Sequence, residues 1–157
     1  MDNRSNVENY LRLIICPEML NGDEHPNIMA GIREVLYRLP NEIFKVITEN
    51  RPVFFFVLKA IGQKNEYKKE ENESINLKDG FKIIVLHSYL NMAIADSIKG
   101  VIVHELAHAY LHSGYVAAVN EDEEADCKAI EWGFEKEIKT AKADSTIAEY
   151  YKVMKLG

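Results

Sequence analysis

"VIVHELAHAYLH", residues 101–112, sets two histidines and a glutamate in an otherwise apolar run. Ionisable groups in such a run need partners, because an unpaired charge is costly to bury. The apolar spacing from Asp96 through Leu111 is helical, and Gly114 stands where a C-terminal cap is expected. On a helix His104 and His108 share one face, a turn apart, and can offer two nitrogens to one ion. Glu105 lies about 100° round from His104. Its carboxylate then sits beside the metal's open position, suited to take a proton from zinc-bound water and not to hold the zinc.

Catalytic zinc needs three protein ligands and one open position, so another donor must approach in space. "NEDEEADCKAIEWGF", residues 120–134, supplies candidates if residues 113–120 turn the chain back. Asp122 and Asp126 are four apart on one helical face, as a ligand and a partner orienting a zinc-bound histidine should be. Glu123 and Asp126, three apart, serve almost as well.

Working outward, 157 residues with 47% hydrophobic and 28% charged content is the composition of one globular domain, here spanning 1–157. The net charge of −6, with no basic patch, argues against nucleic acid and against an anionic membrane. Cys16 and Cys127 have no CxxC spacing, so neither a disulfide framework nor a thiolate zinc knuckle is indicated. There is no leader pattern and no apolar run of 18 residues, which makes a reducing, cytoplasmic location the expectation.

The remaining chain reads as helices, then strands, then helices. "VENYLRLIICPEML" places Leu11, Ile14 and Ile15 in helical spacing until Pro17, and "NIMAGIREVLYRLP" places Ile28, Ile32, Val35 and Leu36 so until Pro40. Asn41 is expected to cap a short helix, "EIFKVITEN". "VFFFVLKA" and "FKIIVLHSYL" are β-branched and aromatic, hence strands. The polar segment between them, with 62–79 at its heart, is expected to be a mobile loop or a solvated hairpin tip. The acidic helix runs from Glu121 to about Trp132, ending at Gly133. "DSTIAEYYKVMK", capped by Asp144 or Ser145, forms the last helix.

HELAH followed by an acidic Ala-Asp helix resembles the gluzincin metallopeptidases, especially small cytosolic zincins of the ImmA/IrrE group and, more remotely, the HtpX group. The resemblance covers roughly residues 80–134. It implies an α+β zincin-like domain with N-terminal helices, a small mixed β-sheet, the HExxH helix and a C-terminal acidic helix around a cleft. It implies a zinc-dependent peptidase with Zn2+ on His104 and His108, Glu105 as catalytic base and Asp126 as the carboxylate behind a ligand. Where those families carry a glutamate as third ligand, this chain has Asp122, one methylene shorter, with Glu123 beside it. Register favours Asp122 and reach favours Glu123. The resemblance further implies a peptide or protein substrate pairing along a sheet edge, for which "FKIIVLHSYL" is the candidate. A regulatory protein partner would restrain such an enzyme. The other reading is a catalytically silent metal-binding module, a sensor or interaction domain.

His112 extends the series 104, 108, 112 but lies two turns from His104, too far to share one ion. His87, at a strand end, is a candidate oxyanion stabiliser, as is Tyr115; Tyr110, Tyr150 and Tyr151 are further tyrosines for that role.

Overall fold

A computed structural model describes residues 4–14, 24–50, 53–58, 82–111 and 121–156. The elements are α1 (Arg4–Ile14), α2 (Pro26–Arg38), α3 (Asn41–Lys45) continuing into a π-helical turn (Val46–Asn50), β1 (Val53–Leu58) and β2 (Lys82–His87). A 3-10 turn (Ser88–Met92), α4 (Ala95–Leu111), α5 (Glu121–Glu131), α6 (Glu135–Ala143) and α7 (Ser145–Leu156) follow. Helices thus dominate an α+β arrangement. Among the described residues no helix is long and apolar enough to cross a membrane.

Helix α4 is the hub, packed against α2, α5 and α6. Its buried positions, including Ile98, Val101, Ile102, Val103 and Leu106, run almost all round the helix, as a central helix requires. The α2 positions chosen by periodicity, Ile28, Ile32, Val35 and Leu36, are all fully buried. At the start of α2, Asn91 Oδ1 accepts the Asn27 and Ile28 N–H groups at 2.9 and 3.1 Å. The 3-10 turn thereby satisfies donors that a helix start leaves open.

Four expectations need correction. The sheet formed by the described residues is two-stranded and parallel, with Val53 opposite Lys82 and Leu58 opposite His87, and is not mixed. Parallel strands require a crossover, so a hairpin between them is excluded; residues 62–79 lie outside the described residues, as does Gly114. Asn41 is the first residue of α3 and not its cap: Pro40 holds that place, with no side-chain hydrogen bond. The acidic helix is not C-terminal, because α6 and α7 follow it.

Helix α6 has no sequence signature, and tertiary contacts hold it. Gly133, with φ +96°, ends α5. The Phe134 N–H reaches the Ala129 carbonyl at 3.1 Å and the Gly133 N–H the Ile130 carbonyl at 2.9 Å, a Schellman ending that needs the left-handed residue. Arg38 then grips the start of α6. Its guanidinium pairs with the buried Glu137, donates to the Gly133 carbonyl at 3.0 Å and lies 4.3 Å from the Phe134 ring centre. Asp144 starts α7: its Oδ1 accepts the Thr146 N–H at 2.9 Å and its Oδ2 the Ser97 hydroxyl of α4 at 2.6 Å. On the sheet side, the Tyr10 hydroxyl accepts the Val53 N–H at 2.8 Å and donates to the Val53 carbonyl at 2.8 Å, tying α1 to β1.

The approach of α4 and α6 depends on Gly100. A Cβ there would stand 2.4 Å from the Glu137 carbonyl oxygen and 2.8 Å from the Ala141 Cβ. Gly100→Ala should lower unfolding free energy by about 1–3 kcal/mol despite the better helix propensity of alanine. Gly31→Ala, whose Cβ meets only side-chain methyls of Ile98 and Ile102, should cost less. Urea titration of both variants reads the difference.

Asp144 carries a pH signature as well. Its carboxyl is held below the ordinary value of 3.8, first by the Ser97 hydroxyl and then by the Thr146 backbone, burial acting the other way. A lowered folded-state pKa stabilises the fold above the unfolded value, and that contribution is lost as pH falls through the lowered one. Between pH 6 and pH 3 the wild type should therefore lose stability faster than Asp144→Asn, measured by thermal unfolding across that range.

Candidate metal centre

Helices α4 and α5 run antiparallel at the site, so His104 meets Asp126 and His108 meets Asp122. His104 Nδ1 lies 2.8 Å from Asp126 Oδ1. A carboxylate accepts, so His104 donates from Nδ1 and its Nε2 keeps a lone pair. His108 Nε2 stands 3.0 Å from that Nε2 and 3.0 Å from Asp122 Oδ1, and His104 Nε2 stands 3.5 Å from the same oxygen. His104, His108 and Asp122 thus bring one ligand atom each to within 4.8 Å of one another and can hold a metal ion. A single proton on His108 Nε2 can serve only one of the two acceptors beside it. A cation would serve all three.

The carboxylate behind His104 is itself held. The Lys142 ammonium, from α6, pairs with Asp126 Oδ2, and that hydrogen bond raises the lysine pKa. A buried carboxylate needs partners on both oxygens, and here one is an imidazole and the other a lysine. Side-chain exposure separates the two aspartates: 11% for Asp126 and 86% for Asp122. The first is a structural anchor, the second an open group that an ion from solvent can reach. The acidic first turn of α5, Glu121 to Glu124, also suits the positive end of the helix dipole.

His104, Asp122 and Asp126 open onto a cavity of about 490 Å³ between α4, α5, α6 and α7. Its walls combine His104, Glu105, Asp122, Glu123, Asp126 and Lys142 with the apolar Val101, Ile138, Ala141 and Ile147 and with Tyr151. Glu105 is half-buried there, and desolvation pushes its carboxyl above the usual carboxylate range, the two histidines pulling it back. It is not part of the three-donor group.

Of the two rivals for third donor, Asp122 stands with the imidazoles, while Glu123 lines the cavity outside that group. Shorter reach is sufficient because the helices approach closely. His87 is elsewhere: its Nδ1 accepts the Tyr89 N–H at 3.0 Å, and its own N–H lies 3.3 Å from the Tyr150 hydroxyl. Neither His87 nor Tyr150 lines the cavity. His112 and Tyr115 lie outside the described residues. Lys142 is a wall group that sequence reasoning missed, since α6 had no signature; of the four tyrosines it offered, Tyr151 lines the wall.

Comparison of the chain with protein-family models, curated proteins and solved structures found no match.

The arrangement ranks four substitutions. Asp122→Ala should weaken metal binding most and Glu123→Ala only slightly, with Asp126→Ala lowering affinity about 10- to 100-fold through the loosened imidazole. Glu124→Ala should leave it unchanged. Competition titration against a chromophoric chelator gives the order, and equal affinities across the set would reduce the acidic helix to a solvated face.

Proposed function

We propose that the chain is a zinc-dependent hydrolase of peptide bonds, acting in the cytoplasm on a peptide or protein substrate. The observation that carries this reading is a three-donor group of which two members, His104 and Asp122, line one apolar-walled cavity together with the desolvated Glu105 carboxylate. Donor separations of 3.0, 3.0 and 3.5 Å are close to the spacing of about 3.3 Å in a tetrahedral site with bonds of about 2.0–2.1 Å. Two imidazoles and one carboxylate form a donor set suited to catalytic zinc, and the carboxylate behind His104 orients its ring as second-layer carboxylates do in such sites.

His104, His108 and Asp122 would hold the ion, which when bound supplies Lewis acidity to a water molecule and to the scissile carbonyl. Glu105 then accepts a proton from the attacking water and returns it to the departing amine. Asp126 and Lys142 keep the His104 ring in its productive orientation. The apolar wall of Val101, Ile138 and Ile147 excludes water around the reacting bond and offers room for a hydrophobic side chain.

Protein purified without added metal should carry one zinc per chain by elemental analysis and cleave members of a mixed peptide library. Glu105→Gln should abolish cleavage with zinc content intact, because the residue acts on water and does not hold the ion. A Glu105→Gln protein that loses its zinc, or wild type with no stoichiometric metal, contradicts the assignment.

A further inference from the structure

A contact between two copies about a two-fold axis is self-complementary, so one patch must carry both a projection and a hollow, and both signs of charge if it carries any. The surface where α2 meets the start of α4 has all of these. Ala93 is extended, with φ −76° and ψ 163°, so its side chain turns inward, 8% exposed, while its neighbours face the other way. Met92 and Ile94 accordingly stand 74% and 60% exposed, the two most exposed large apolar side chains among the described residues. Single exposed hydrophobes are ordinary on a protein surface, but two on either side of one residue form a projection. Beside them lies a hollow of about 210 Å³ between the helices. Ala30 and Gly31 of α2, Ala93, and Ala95 of α4 line it, small residues that leave room for an incoming side chain.

Two charges of opposite sign line the same hollow, Glu34 from α2 and Lys99 from α4. Glu34 is exposed and makes no hydrogen bond or ion pair among the described residues. Lys99 pairs with Asp96 at 2.9 Å, which leaves its ammonium with further hydrogens to give. The hollow and the metal cavity have no lining residue in common, so the site at His104 accounts for none of these features.

We propose that this patch is the interface of a homodimer, in which Met92 and Ile94 of each copy enter the hollow of the other and Glu34 of each copy meets the partner's Lys99. A different partner would require only a projection or only a hollow, and only one sign of charge. A second copy is the occupant that uses every part of the patch at once. The contact is smaller than a standard interface of about 1,600 Å², so the dimer is a weak one, with a dissociation constant of about 10–500 µM. The inference does not depend on the hydrolase reading, because the interface takes in no residue of the metal cavity.

Sedimentation equilibrium of the full chain, from about 5 µM to about 1 mM, reads the association. The mass of wild type should climb from that of one chain toward that of two. Glu34→Lys and Lys99→Glu each set like charges together at both symmetry-related contacts, and each should weaken self-association more than about tenfold. Mixed in equal amounts, the two variants should associate as wild type does, since one contact is then the native pair and the other the same pair reversed. Met92→Ser with Ile94→Ser should abolish association. Ile83→Ser with Val85→Ser, which alters apolar side chains 53% and 40% exposed on β2, should leave it unchanged. The thermal midpoint of each variant identifies loss of fold, and if Lys99→Glu does not fold, the Met92 and Ile94 substitutions decide alone. Wild type that stays monomeric throughout overturns the proposal. Two folded charge variants that fail to associate when mixed overturn it as well, as does association lost with Ile83 and Val85 but kept without Met92 and Ile94.

Discussion

Helix α4 is buried on nearly every side, and it carries His104, Glu105 and His108 in its C-terminal half. Apolar neighbours alone cannot accompany three ionisable groups into a core. The arrangement of the surrounding helices follows from that constraint. Helix α5 lies antiparallel so that two aspartates four residues apart meet two histidines four residues apart. Helix α6 closes against the same helix at Gly100 and brings a lysine to the far side of Asp126. Helix α7 is tied on through Asp144 and the Ser97 hydroxyl, and it completes the cavity with Ile147 and Tyr151. The apolar packing and the polar site are therefore one structure.

The charge pattern points the same way. Glu105, Asp122, Glu123 and Asp126 share a cavity wall with one lysine, and Lys142 is joined to Asp126. Like charges gathered in a partly dry space repel strongly. The pKa of the Glu105 carboxyl is raised first by desolvation, with the Asp122 charge adding a smaller push in the same direction. A divalent ion on the two imidazoles and Asp122 would relieve it where the negative groups converge. The exposed side chain of Asp122 leaves an entry route, whereas a fully buried triad would have to open to load.

Much of this was legible in the sequence, and the parts that were not have physical reasons. The period of Ile28, Ile32, Val35 and Leu36 read α2 correctly, and the spacing of His104, His108, Asp122 and Asp126 anticipated which groups would meet. Helix α6 was missed because "EKEIKTAKA" buries Glu137 with Ile138 and Ala141, so its inward face carries a charge where periodicity expects an apolar group. Arg38, distant in sequence, pairs with that buried carboxylate. Strand direction was illegible for a similar reason: alternation identifies a strand, but pairing with a partner decides whether it runs parallel. Choosing Asp122 over Glu123 required the actual distance between helices, which no local pattern encodes.

The link between Tyr10 and Val53 has a consequence for how the sheet can grow. In a strand, the N–H and C=O of one residue point to the same side, and both of those groups at Val53 are engaged by one phenol. A side chain thus occupies the pair of bonds that an incoming backbone would need at the start of β1. Exposed strand edges invite edge-to-edge association of copies, and proteins commonly blunt them with charge, proline or a covering element. Here a single hydroxyl from α1 acts as the stopper. It protects β1 against templated pairing at its first residue and biases any added strand toward the opposite margin of the sheet, along β2.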